Sequence, residues 1–141
     1  MRLVLDTSVL VSAIRGPAGA SKALLKAALE SRFQFLISNP LVLEYEAVLT
    51  RQEHLRASGL TNLEVGELLD MICAVGLEVR ITRSFRPLLR DPDDEMVLET
   101  AIHGLADGIV TFNRADFIGI QVEFQVAVLT PLEALRRVGI L

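Results

Sequence analysis

"RLVLD", residues 2–6, sets three consecutive aliphatic residues against a closing acid. No polar residue alternates with Leu3, Val4 and Leu5, so the run does not read as the half-solvated strand of an antiparallel sheet. It reads as a strand buried on both faces, of the kind found inside a parallel sheet between helix layers. Apolar runs return at "FQFLIS" (33–38), "LEVRI" (77–81), "GIVTF" (108–112) and "VAVLT" (126–130). Helical stretches lie between them: a short one before the loop "GPAGAS" (16–21), then "ASKALLKAALES" (20–31). "NPLVLEYEAVLT" (39–50) follows, with Asn39 as N-cap and Pro40 at the first helical position. "TNLEVGELLDMICAV" (61–75) carries a Thr61/Glu64 capping box, and a further helix runs from an acidic cluster to about Leu105. "PLEALRRV" (131–138) is a Pro-started helix. This alternation predicts an α/β fold, a doubly wound parallel sheet of about five strands flanked by helices. With no repeat, low-complexity tract or linker, residues 1–141 are expected to form one domain.

The chain's 141 residues can bury a sizeable core. A hydrophobic fraction of 51% and a mean hydropathy of +0.44 suggest a surface patch covered by a partner. No apolar run approaches the roughly 20 residues of a membrane span. The first residues read into a strand rather than a signal peptide, so a cytoplasmic location without membrane contact is expected. A single cysteine, Cys73, excludes an internal disulfide or a Cys-based zinc site and is assigned to packing. The two histidines are far apart, and His103 is assigned to a helix surface. A net charge of −4 opposes unassisted binding of a polyanion. A nucleic-acid function therefore needs local basic patches or a bridging cation.

In open parallel sheets, ligands sit outside the carboxyl ends of the strands. Asp6 ends the first strand and is followed by Thr7 and Ser8. Burying its charge is costly unless it is paired or metal-bound, yet its position equally suits an N-cap. Glu44 stands three after Leu41 and four before Val48, bordering the stripe of Leu41, Tyr45, Val48 and Leu49; Glu46 competes for the same role. In "DPDDEMVLETA" (91–101), the helix is expected to pack through Val97, Leu98, Ala101 and Leu105. Asp94, three before Val97 and four before Leu98, shares that inward face. Asp93 and Glu95 then serve as cap and dipole partners, and Asp91 precedes Pro92 in an extended loop. "TFNRADF" (111–117) brings Thr111, Asn113 and Asp116 to the same edge. Carboxylates converging there repel one another unless a divalent cation lies between them. Oxygen ligands with open water positions suit Mg²⁺ or Mn²⁺. Such an ion polarises a phosphoryl oxygen and generates hydroxide near neutral pH.

Four segments in this order, "LVLDTSVLVSA" (3–13), "SNPLVLEYEAVL" (38–49), "DPDDEMVLETA" (91–101) and "VTFNRADF" (110–117), resemble the PIN domain family, in particular its VapC-like toxin type. The resemblance covers nearly the whole chain. It implies a three-layer α/β/α domain with strand one central and a Mg²⁺- or Mn²⁺-dependent ribonuclease activity. By the same resemblance Asp6, Glu44 and Asp94 are the catalytic and metal-binding acids. Asn113 joins the catalytic set where many PIN domains carry Asp, keeping an oxygen ligand without its charge, and Asp116 is the candidate metal ligand to compensate. Thr7, Ser8, Thr111 and Arg114 are substrate-binding candidates, with Arg15, Lys22, Arg86 and Arg90 behind them. The implied partners are RNA, an antitoxin protein and a second copy of the chain in a homodimer; the alternative is a non-catalytic module that keeps the fold alone. A receiver domain would need Lys after the late strand, where Pro131 stands. A haloacid-dehalogenase-like phosphatase would need Asp two residues after Asp6, where Ser8 stands.

Overall fold

A computed structural model of the chain describes residues 1–82 and 92–141. In chain order these form β1 (Arg2–Leu5), α1 (Thr7–Arg15), α2 (Ala20–Leu29), β2 (Gln34–Ile37), α3 (Asn39–Leu49), α4 (Gln52–Ser58) and α5 (Asn62–Val75). There follow β3 (Leu77–Glu78), α6 (Pro92–His103), β4 (Gly108–Val110), α7 (Ile120–Phe124), β5 (Ala127–Leu129) and α8 (Pro131–Arg137), with a 3₁₀ turn at Arg114–Phe117. The strands make one all-parallel sheet in the order β3-β2-β1-β4-β5, as the unbroken apolar runs predict. β1 lies at its centre, with Leu3 opposite both Phe35 and Gly108, and Leu5 opposite Val110. Leu3, Val4 and Leu5 are completely buried.

The order 3-2-1-4-5 reverses direction at β1. From β1 the chain winds outward through β2 to β3, then returns to place β4 on the other side of β1. Such a reversal opens a crevice at the carboxyl ends of the two strands that meet there. α6 packs against β1, β2 and β4, so it crosses the centre of the sheet. A hydrogen bond of 2.7 Å between the buried hydroxyls of Ser38 and Thr100 ties α6 to the β2–α3 junction. α3 is tied to the sheet through Tyr45, which is fully buried and donates its hydroxyl to the Leu5 carbonyl. Gly76 makes the turn from α5 to β3 feasible: a Cβ there would lie 2.7 Å from Ile37 Cδ1 and 2.8 Å from the Ile72 carbonyl oxygen.

Several sequence expectations shift locally. The N-cap of α3 is Ser38 rather than Asn39; the Ser38 carbonyl accepts from the Val42 amide, and its hydroxyl is committed to Thr100. β3 is only two residues long, at an edge where, among the described residues, it pairs with β2 alone, although the Val79 amide still donates to the Ile37 carbonyl at 2.7 Å. Leu105 does not pack under α6. It lies beyond the helix end with φ +53° and is 77% exposed. Cys73 is exposed rather than packed, being one residue off the buried stripe of Val65, Leu69 and Ile72 on α5. α4 and α7 appear where no helix is expected; α4 buries no residue fully, which explains its weak apolar signal. Arg86, Arg90 and Asp91 lie outside the described residues. Among the described residues, no helix is long and apolar enough to cross a membrane.

Candidate active site

Asp6 leaves the carboxyl end of β1 and occupies the N-cap position of α1, but its side chain makes no capping bond. Its carbonyl accepts from the Val9 amide at 2.9 Å, and its own amide donates to the Val110 carbonyl of β4 at 2.9 Å. The side chain instead takes two hydroxyl donors on one oxygen: Thr111 Oγ1 at 2.7 Å and Ser8 Oγ at 2.9 Å, both to Oδ2. At 6% exposure, Asp6 is a buried acid held by two neutral donors, and Oδ1 has no donor among the described residues. This choice between cap and inward charge is one that position alone leaves open.

The Thr111 donor depends on β4, which it directly follows. Thr111 is completely buried, its amide donates to the Leu129 carbonyl at 2.9 Å, and its hydroxyl accepts from the Asn113 amide at 2.9 Å. One hydroxyl thus fixes both the carboxylate of Asp6 and the turn that carries Asn113. The Asn113 carbonyl in turn accepts from the Asp116 amide at 3.0 Å, and the buried Phe117 anchors that turn. Tyr45 is close enough to Asp6 to feel its charge. Burial, reinforced by the negative charge of Asp6, holds its hydroxyl pKa well above the ordinary tyrosine value, so it remains a neutral donor to Leu5.

Around Asp6 opens a cleft of about 280 Å³. α3 contributes Glu44 and Val48, α6 contributes Asp93 and Asp94, and the turn after β4 contributes Asn113 and Asp116. Thr7 and Ser8 complete the wall at the start of α1. Asp94 is 7% exposed, as its spacing from Val97 and Leu98 predicts, and Asp93 is exposed. Glu44 is half-buried in the cleft, whereas Glu46 is exposed and not part of it. The structure therefore brings together Asp6, Glu44, Asp94, Asn113, Asp116, Thr7 and Ser8.

Two of the residues read from sequence as substrate contacts stand elsewhere. Thr111 lies beneath the cleft with its hydroxyl fully engaged, which suits it to orient Asp6 rather than to touch a substrate. Arg114 points to α8, where its guanidinium donates to Glu133 at 3.0 Å. The Thr130 hydrogen bonds, with the Arg114 charge, lower the pKa of Glu133. Arg15 and Lys22 line a separate and larger groove, of about 650 Å³, with Leu25, Leu60 and Leu68. That groove has greater volume and carries Glu64 and Glu67, but the candidate acids Asp6, Glu44 and Asp94 are in the smaller cleft. Arg51 lines the acidic cleft and is missing from the sequence-level candidates. Its signal is legible in hindsight: Glu44, Val48 and Arg51 are spaced i, i+4, i+7, one helical face continued past the end of α3.

All the cleft's acidic donors are hard oxygens, a set matched to Mg²⁺ or Mn²⁺ rather than to the N/S ligands of a structural zinc site. Among the described residues, no three His, Cys, Asp or Glu side chains are arranged as a ready ion cage. Mg²⁺ does not require one, because it retains several waters and is commonly bound through one or two carboxylates with substrate phosphate. Asp6, Glu44 and Asp94 could supply those carboxylates, each from a different element.

A family model described as PIN domain matches residues 2–115, a span that includes Asp6, Glu44, Asp94 and Asn113 and stops one residue before Asp116. No curated protein matches the chain.

Proposed function

The chain belongs to the PIN domain family, whose members are commonly nucleases, and from this we propose that it hydrolyses RNA phosphodiester bonds with Mg²⁺ or Mn²⁺ at the Asp6 cleft. The observation that carries the reading is the state of Asp6. A carboxylate 6% exposed, with both hydroxyl donors on one oxygen and acids from α3, α6 and the turn after β4 on the same cleft, is poorly explained as a cap or as solvated surface charge.

Asp6, Glu44 and Asp94 would hold the cation, with Asn113 and Asp116 at the exposed rim as further oxygen donors. When bound, the cation supplies Lewis-acid activation of the phosphate and lowers the pKa of a coordinated water. Thr111 and Ser8 keep Asp6 in one orientation. Thr7 and Ser8 lie at the cleft wall where a bound strand would pass. The cation also resolves the charge conflict between a protein of net charge −4 and a polyanionic substrate.

The finer reading is a toxin of a type II toxin–antitoxin pair, a cytoplasmic homodimer that also buries apolar surface against its antitoxin. It is supported by the mean hydropathy of +0.44 and by exposed Ile118 and Val122, at 80% and 87%. A light-scattering mass of one chain at micromolar concentration would count against the dimer.

The activity is tested by incubating purified wild type and Asp6→Asn with RNA and Mn²⁺. Cleavage by the wild type, abolished by chelation and absent in Asp6→Asn, is expected. Equal cleavage by both would dismiss the site, and no cleavage by the wild type would leave a PIN fold without this chemistry.

A further inference from the structure

Among the described residues lining the acidic cleft, Arg51 alone is cationic, against the five carboxylates of Asp6, Glu44, Asp93, Asp94 and Asp116. Its backbone is fixed at the junction of α3 and α4. The Arg51 amide donates to the Val48 carbonyl at 3.1 Å, and its carbonyl accepts from the His54 and Leu55 amides, both at 3.0 Å. The side chain is exposed and makes no ion pair or hydrogen bond with any described residue, although it shares a wall with those acids. A guanidinium whose task was to neutralise the acids would lie within about 4 Å of one of them. This one is anchored at its base and open at its head.

We infer that Arg51 grips a phosphate of the bound RNA strand, a role that rests on the nuclease reading above. Arg51 stands two residues past the end of α3 and lines the same cleft as Glu44 and Val48, so the phosphate it holds lies beside the Glu44 wall of the acid cluster. The planar guanidinium offers a fork matched to two phosphate oxygens, which an ammonium does not. The division of labour is then between acids, which hold the cation for the chemistry, and an arginine that keeps the polyanion against an otherwise repellent wall.

The experiment compares the full chain with Arg51→Gln and Arg51→Lys on a single-stranded oligoribonucleotide. KM and kcat are measured with Mn²⁺, and salt-dependent binding is measured in the Asp6→Asn background so that the strand stays intact. Arg51→Gln should raise KM about tenfold with a smaller change in kcat, and weaken binding to a similar extent. It should reduce the slope of log K against log salt by about 0.7, the loss of one single-strand phosphate contact. Arg51→Lys should recover part of the affinity. Mn²⁺ binding to the RNA-free Arg51→Gln protein should be unchanged or tighter, since a positive charge has left the cleft. An unchanged KM and salt slope would make Arg51 a solvated surface charge and overturn the inference. So would weakened Mn²⁺ binding with RNA affinity intact, which would make Arg51 a support for the acids. If the wild type cleaves no RNA, the nuclease reading falls and the phosphate grip falls with it.

Discussion

At Asp6 the decisive partner is Thr111, 105 residues away in the chain. A lone acid between a strand and a helix has the same sequence appearance whether it caps the helix or points inward. The hydroxyl that settles its orientation belongs to the residue that follows another strand, β4. Asp94 was more legible, because its spacing of three and four to Val97 and Leu98 is local to one helix. Arg51 was hidden by the opposite effect, its helical phase continuing beyond the helix that defines it. Thr111→Val keeps the volume and removes the hydroxyl from Asp6, so unfolding in urea should show a loss of about 2 kcal/mol. On the nuclease reading, cleavage or Mn²⁺ affinity should fall ten- to a hundredfold, the usual effect of losing a residue that orients a metal ligand. Thr111→Ser, which keeps the donor, should restore most of the activity. Full activity in Thr111→Val would show that Ser8 alone is enough to hold Asp6.

The elements were read most securely where a periodic apolar face coincided with a clear start. Thr61 and Glu64 form the expected capping box, with the Glu64 amide donating to Thr61 Oγ1 at 3.1 Å and the Thr61 amide donating to Glu64 Oε1 at 3.2 Å. The elements whose signal is weak are short or peripheral: α4 and α7 lack a long apolar stripe, and β3 is an edge strand of two residues. For α3 the phase has a direct functional test. Glu44→Gln should reduce cleavage by at least tenfold more than Glu46→Gln, because only Glu44 lines the cleft. Equal losses would contradict that placement. The joint between α3 and β1 is also measurable, since Tyr45 is the chain's only tyrosine. Its folded pKa is raised by burial first and by Asp6 second, while the unfolded value stays near 10. Above pH of about 10 the unfolded chain loses the phenolic proton and the folded chain keeps it, so this group's contribution to stability falls as pH rises. Tyrosinate absorbance should therefore appear only together with alkaline unfolding, and Tyr45→Phe should flatten the alkaline decline in stability. A tyrosinate signal rising within the folded protein would contradict the burial argument.

At the scale of the molecule, the alternation of apolar runs and helices made the parallel sheet legible, because strands covered on both faces leave no polar alternation. The strand order was less so, since the hydrophobic pattern does not say which strands neighbour β1. That order has a consequence for biosynthesis. β1 and β2 leave the ribosome early, but the other side of β1 waits for β4, and the hydroxyl that holds Asp6 waits for Thr111. Pairings so distant in sequence form late. On the nuclease reading, a growing chain still attached to its own message lacks an ordered Asp6 until Thr111, 105 residues further along, has been made. Translation of a message cut after codon 107 should accumulate chains without RNA degradation, whereas the complete message should lose its template as product appears. Template loss with the shortened message would show that the acids can assemble without β4. Otherwise the topology delays assembly of the acidic cleft until β4 and Thr111 have joined β1.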